Sequence, residues 1–491
     1  MQARKVLPLV VAAVFLTILA GCGSGPSNAG VPQGNFTNAN LSGTYAFAFS
    51  GTNGGGFFTM AGSFQANGNG AITSGTIDIN SPGTAAGVLT NLSLTGTYIV
   101  HADGRGAAAL NPSGFNTVNL DFVLLSSQHG ALIRFDGNAT ASGSLDMQTS
   151  SAFNLAALAG TFAFNVSGVD GGAQNPESSA GALSVDASGN LLANGVQDTN
   201  DNGTLSTNDP LTAASAAMSS PGLSNGRGTL AIASAAHPTR NFVFYVIDAN
   251  HLRLIEVDSA PILAGDAFRQ TSTAISGSFA FTVSGSSGGT PFAAGGIFDT
   301  DGAGNVLNSS VEDVNSGGTI TTNVTLTGAF TAVTNGRSTL SLNSGAANYA
   351  VYPSVSGLQF LRIDANPVAS GTAFQQSGSF SNSTISGRYG ANVTGVIAPA
   401  TEFDAVYQFT ANGNGALTGA QDVNLGGALS ANLALNGTAA LASNGRASNV
   451  GKLNTAAGNL QVIYYAVNSS QILFIEVDNN AVAVGSFSQQ Q

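Results

Sequence analysis

The 491-residue chain has no tryptophan, one cysteine and four histidines, and only 8% of its residues are charged. A single cysteine leaves no internal disulfide to hold the fold. Lys5 and Lys452 are the only lysines, and 13 Lys and Arg stand against 25 Asp and Glu. No basic stripe exists, so nucleic acid is excluded as a partner and anionic-lipid binding is unsupported. His101, His129, His237 and His251 form no His-x-x-x-His or Cys–His spacing of the kind that holds zinc. Lack of tryptophan removes the ring on which sugar sites most often rely. Disorder needs low hydrophobicity with high charge, whereas this chain is 43% hydrophobic with little charge. Beyond the first 21 residues no segment shows a 3.6-residue apolar period, so helices are not expected.

Glycine, Ser, Thr and Asn take the place of charge, with 64 glycines in all. That mix favours strands joined by tight turns. One motif recurs four times: Leu41-Ser-Gly-Thr-Tyr-Ala-Phe47, Leu158-Ala-Gly-Thr-Phe-Ala-Phe164, Ile275-Ser-Gly-Ser-Phe-Ala-Phe281 and Ile385-Ser-Gly-Arg-Tyr389. The starts at 41, 158, 275 and 385 lie 117, 117 and 110 residues apart, each a domain's length. Further landmarks follow in fixed order. They are a glycine turn (Ala66–Gly70, Ala187–Asn190, Gly302–Asn305, Ala411–Gly415) and an Asp-x-Asn element read as a turn (Asp78/Asn80, Asp198/Asn200, Asp313/Asn315, Asp422/Asn424). Next come a turn ending in Arg105, Arg227, Arg337 or Arg446 and a late strand ending in Asp136, Asp258, Asp364 or Asp478.

Tyr45, Phe47 and Phe49 alternate with small residues, as a half-buried strand does. About eight such strands per repeat predict an all-β fold of four tandem antiparallel modules at 41–148, 158–270, 275–376 and 385–490. Sequential hairpins favour an up-and-down barrel, which also removes exposed sheet edges; a two-sheet sandwich is the runner-up. The meander and its opening Leu-Ser-Gly-Thr-Tyr resemble calycin and avidin-like barrels. Short joins at 149–157, 271–274 and 377–384 predict a rod of touching modules.

The amino terminus carries the address. Arg4 and Lys5 precede the apolar stretch Val6–Ala20, which ends in Leu19-Ala20-Gly21-Cys22. The stretch is shorter than the ~20 residues of a membrane span. It resembles a bacterial lipoprotein signal with its lipobox. The resemblance implies cleavage after residue 21, lipid (palmitate among it) on Cys22 and a membrane anchor. Gly23 in place of the Asp retention signal implies the outer membrane. Residues 22–40 read as a tether of at most ~60 Å. The mature chain is similar to tandem-repeat surface lipoproteins of the acidobacterial kind, a group without an assigned activity.

Candidate chemistry is sparse. Asp198, Asn200, Asn202, Thr204, Ser206 and Asp209 match the ligand spacing of an EF-hand loop, with Gly203 at its sixth position. This is the one candidate calcium site; the alternative is an ordinary Asx hairpin turn. No other cofactor is expected. The four turn arginines and the four strand-end aspartates form a repeated polar set, placed either to bind a ligand at each barrel mouth or to satisfy turns and ion pairs inside each module. Arg134, Glu256, Arg362 and Glu476 alternate in sign two residues before those aspartates, a pattern that would pair neighbouring modules. Gly285-Ser286-Ser287-Gly288-Gly289 matches a nucleophile elbow in letters but lacks the strand-to-helix setting. The expectation is a non-enzymatic cell-envelope lipoprotein acting as a structural or adhesive spacer toward a cell-surface glycan or protein. A small-molecule or glycan-binding surface protein is the alternative, and a hydrolase comes third.

Overall fold

The computed structural model describes residues 34–491 other than 84–86, 172, 213–217, 220–224, 271–273, 399 and 456–457. The lipobox-like run, Cys22 and most of the expected tether therefore lie outside the described residues. No helix among those described is long and apolar enough to cross a membrane.

Four antiparallel barrels of eight strands follow one another along the chain. In module one, β1 (Ser42–Asn53), β2 (Gly56–Asn67), β3 (Ala71–Asn80), β4 (Val88–Val100), β5 (Arg105–Pro112), β6 (Val118–Leu124), β7 (His129–Arg134) and β8 (Ala139–Met147) pair in sequence. β1 pairs with both β2 and β8, which closes the barrel and excludes a sandwich. Module two closes in the same way, its first strand (Gly160–Val169) pairing with Pro176–Val185 and Ile262–Arg269. In module three the third strand is broken into Asn305–Val306 and Val311–Ser316, and the fourth into Thr319–Thr325 and Gly328–Phe330. Gly277–Ser287 still pairs with strands on either side. Module four runs from Ser386 to Gln489. The only α-helix among the described residues is the single turn Leu155–Leu158 between modules one and two.

The glycine turns are Asx turns. Asn67 Oδ1 accepts from the amides of Asn69 and Ala71, and Asp301 Oδ1 from those of Ala303 and Asn305. Gly285–Gly289 is a strand end with a Gly288-Gly289 hairpin turn, both glycines at positive φ. Residues 34–40 are docked rather than free. Phe36 is buried in the core of module one, and Asn38 Oδ1 accepts from the Val100 amide at 2.7 Å. The tether expectation fails over these residues.

Alternation sends one aromatic row into each barrel. Tyr45, Phe47, Phe49, Phe58 and Phe64 fill module one, and Phe279, Phe281, Phe298 and Phe360 fill module three. Glycines on neighbouring strands make room for the rings. A Cβ at Gly62 would lie 2.6 Å from the Phe47 ring, and one at Gly181 would lie 2.6 Å from the Phe164 ring. The barrel interiors are thus packed cores of stacked rings.

Candidate functional site

The other face of the same strands decides how the barrels meet. Small and apolar residues on the outside of the first three strands of one module pack on the sixth to eighth strands of the next. Ala46 and Ala61 meet Val243, Tyr245 and Ile255. Ala163 and Ala180 meet Ala350, Tyr352 and Leu361. The series does not stop at module four, because its Val406 packs on Val123, Ala131 and Ile133 of module one. The modules form a closed ring, which corrects the expectation of a rod.

Each seam carries one polar clasp. Asp78, Asp198, Asp313 and Asp422 sit inside the third strand at a β-bulge, not in a turn. Each bulge faces an Asn at positive φ, namely Asn91, Asn208, Asn323 or Asn432, whose amide donates to the carboxylate at 2.6–2.8 Å. The carboxylate then points out of its barrel and takes the turn arginine of the following module. Arg227 binds Asp78 through Nε at 2.8 Å and Nη2 at 2.7 Å. Arg337 binds Asp198 at 2.6 and 2.7 Å, and Arg446 binds Asp313 at 2.8 and 2.5 Å. These three pairs are bidentate, the strongest geometry for arginine and carboxylate. Tyr245, Tyr352 and Tyr465 add a phenol hydrogen bond to the same three aspartates. Burial, then the adjoining carboxylate, holds all three phenols well above their usual pKa.

The fourth clasp closes the ring in a looser form. Arg105 of module one reaches Asp422 of module four at 3.3 Å and Asn432 Oδ1 at 2.9 Å, and Val123 stands where the tyrosine would be. Two more repeated residues reinforce every seam. Asn80, Asn200, Asn315 and Asn424 donate to main-chain carbonyls of the next module, including those of Asp258, Asp364, Asp478 and Arg134 respectively. Gln148, Gln270, Gln376 and Gln490, each just after the eighth strand, donate to carbonyls of Val246, Gly336, Ala466 and Leu124.

The sequence-derived sites are redistributed by this arrangement. The arginines do not pair with the strand-end aspartates of their own modules and line no barrel mouth. Asp136, Asp258, Asp364 and Asp478 instead bind amides within their own modules, those of Asn119, Asn241, Asn348 and Gln461. The residues of the EF-hand-like stretch do not fit calcium. Asp198 is spent on Arg337 and Tyr352, and Asn200 donates to Arg362 and Asp364 carbonyls of module three. Asn202 is the tip of a two-residue hairpin, and Asp209 accepts from the Ala236 amide. Thr204 and Ser206 continue the returning strand. Among the described residues no three His, Cys, Asp or Glu side chains could hold a metal.

Among the described residues the alternating set makes no charge pairs between modules, although Glu476 Oε2 accepts from Asn315 Nδ2 of module three at 3.0 Å. Arg134 and Arg362 bind Asp136 and Asp364 two residues on, in the same module. Glu256 is fully buried with neither carboxyl oxygen hydrogen-bonded, and burial pushes its pKa from 4.5 up to about 9. The folded chain keeps a proton there that the unfolded chain releases above about pH 4.5, so this term lowers stability progressively from that pH through about 9. Glu256→Gln is therefore expected to stabilise the protein by about 1–2 kcal/mol at pH 8 and not at pH 4. Urea unfolding at the two pH values checks it, and an equal effect at both would refute the protonated state.

One charged cluster stands apart, at the junction of modules one and two. Arg253 bridges Asp266 (3.0 Å) and Asp146, while His251 lies 2.7 Å from Asp266 and His129 2.5 Å from Asp146. Burial alone would raise both carboxyls; Arg253 and the imidazoles outweigh it and hold them below the usual range. Among the described residues no hydroxyl hydrogen-bonds to either imidazole. A cavity of about 270 Å³ adjoins His129 and Ser144 between modules one and four. A larger one, about 600 Å³, lies between modules three and four against Phe279, Leu358, Phe374 and Gln471.

No family model matches the chain, and no curated protein does. Among solved structures, the crystal structure of CghA with Sch210972 is 8% identical with a TM-score of 0.16, covering 92% of this chain and 89% of that one. The crystal structure of CghA has 8% identity and a TM-score of 0.17 over 94% and 95%. Likeness at that level carries no argument about fold or activity.

Proposed function

We propose that this is a non-catalytic structural or adhesive protein of the bacterial cell envelope, probed outward by a ring of β-modules and held to the outer membrane by lipid on Cys22. The single observation that supports it most is the use of the repeat-equivalent polar residues. Asp78, Asp198, Asp313 and Asp422, with their arginines, fasten barrel to barrel and leave no repeated ligand site at a barrel mouth. Aromatic rings fill the described cores of modules one and three, and the lipobox-like run supplies the anchor. With residues 34–40 docked on module one, the stretch from Cys22 to Gly34 spans at most ~40 Å, so the ring sits close to its membrane.

Cys22→Ser is expected to move the protein from the membrane fraction to the soluble one and abolish labelling by palmitate. A variant that stays membrane-bound would end the anchoring half of the proposal. The second reading, a small-molecule or glycan-binding surface protein, is favoured by the 600 Å³ cavity beside Phe279 and Phe374. A glycan array with the whole ring separates the two.

A further inference from the structure

The seam that closes the ring departs from the other three on both of its faces at once. In register with the seam asparagine stand Thr59, Ser178 and Ala293 in modules one to three, and Asp404 in module four. Against the first three, the next module presents the strand pairs Val169/Ile262, Ser286/Val368 and Val396/Val482. Against Asp404 it presents Thr52 and Thr140. An acid on one barrel and two hydroxyls on the other have thus replaced a largely apolar contact, at this seam alone.

The side chains converge. Phe403 and Ala405 point into barrel four, so Glu402 and Asp404 point out, toward module one. Glu402 hydrogen-bonds with Thr52, and Thr140 Oγ1 donates to Asn424 Oδ1 at 3.1 Å. Asp404 lies between them, with Thr394 beside it on the adjoining strand. It is fully buried, its carboxylate oxygens meet no donor at good hydrogen-bond geometry, and Thr394 and Glu402 are its polar neighbours. An unpaired buried carboxylate is costly and calls for a counter-charge. The arginines of this seam cannot supply it, because Arg105 is held by Asp103 and Asp422, Arg134 by Asp136, and Arg388, opposite Thr410, donates to the Asp103 carbonyl.

We propose that Asp404 and Glu402, with the hydroxyl oxygens of Thr52 and Thr394, bind one divalent cation of the calcium class that locks the ring at its closing seam. Calcium takes six to eight oxygens in an adaptable geometry, and two carboxylates balance its charge. With only two acids among the donors the site belongs with the weak extracellular class, Kd ~10⁻⁴–10⁻³ M. The proposal rests on the closed ring and is independent of the envelope reading.

Equilibrium dialysis of the full chain against Ca²⁺ at pH 7 tests it, alongside thermal unfolding. One ion per chain is expected, with a higher unfolding midpoint in calcium. D404N and E402Q should each weaken binding at least tenfold, whereas E256Q should bind as the parent does. If D404N fails to fold, E402Q at the edge of the site carries the test. Absence of bound calcium, or equal binding by the parent and both acid variants, overturns the proposal. So does a parent that calcium leaves unmoved, that loses stability as pH rises, and that D404N exceeds in stability; the two carboxyls would then simply share a proton.

Discussion

Asp198→Ala is expected to cost about 3–5 kcal/mol of stability and to loosen the seam between modules two and three. The carboxylate is fully buried and receives four donors: two from Arg337, one from Tyr352 and the Asn208 amide. Alanine leaves a guanidinium and a phenol without a partner between two dry barrel walls, and such orphaned groups cost more than the lost attraction. Asp198→Asn keeps the shape but turns an NH₂ toward an arginine, so it should lose a smaller but still measurable amount. The pair Asp198→Ala with Arg337→Ala should be less damaging than the sum of the two. Denaturant unfolding reads the energies, and small-angle scattering reads any opening of the ring. A loss below about 1 kcal/mol, the range of an exposed ion pair, would show that the clasps do not hold the modules together.

Gly265→Ala should be nearly as harmful, at about 3 kcal/mol or more, although it adds one methyl group. The added Cβ would fall 1.9 Å from the carbonyl oxygen of Asn165 on the paired first strand. Gly143 and Gly371, at the same place in modules one and three, would meet the Ala48 and Thr282 carbonyls at 1.9 and 2.0 Å. The neighbour is backbone in each case, so relief requires the strand pair that closes the barrel to part. Gly54, with nothing within 4 Å of its Cβ position and no positive φ, is the control; Gly54→Ala should be neutral or slightly stabilising. Equal behaviour of the two variants would refute close strand approach as the reason for glycine.

The barrels were legible because their signals are local. Period-two aromatics, Asx turns and a fourfold repeat each survive in a short window of sequence, and Phe47 and Phe164 lie where that pattern puts them. The seams were not, because the outer face of a barrel strand carries no period that tells solvent from a neighbouring barrel. Asp198-Thr-Asn200 has turn chemistry, yet a bulge places it in mid-strand. Tyr245 and Tyr465 stand in apolar strands, as core residues do, yet they are buried between barrels rather than inside one. Two signals were present and overlooked. An asparagine recurs ten residues after Asp198, Asp313 and Asp422, and a glutamine follows the last strand of every module. The asparagine braces the bulge of its own module, while the glutamine donates across the seam, which is what a contact between copies looks like in sequence.

A ring of four separate subunits would fall apart on dilution, and its symmetry would force every joint to be alike. Here the four units share one chain, so each meets its neighbour at a high effective concentration however dilute the protein becomes. The joints are also free to differ, and the one between Arg105 and Asp422 has done so, exchanging a tyrosine for Val123 and gaining Glu402 and Asp404. Covalent linkage thus gives the molecule one joint whose strength can be set by its surroundings while the other three stay fixed.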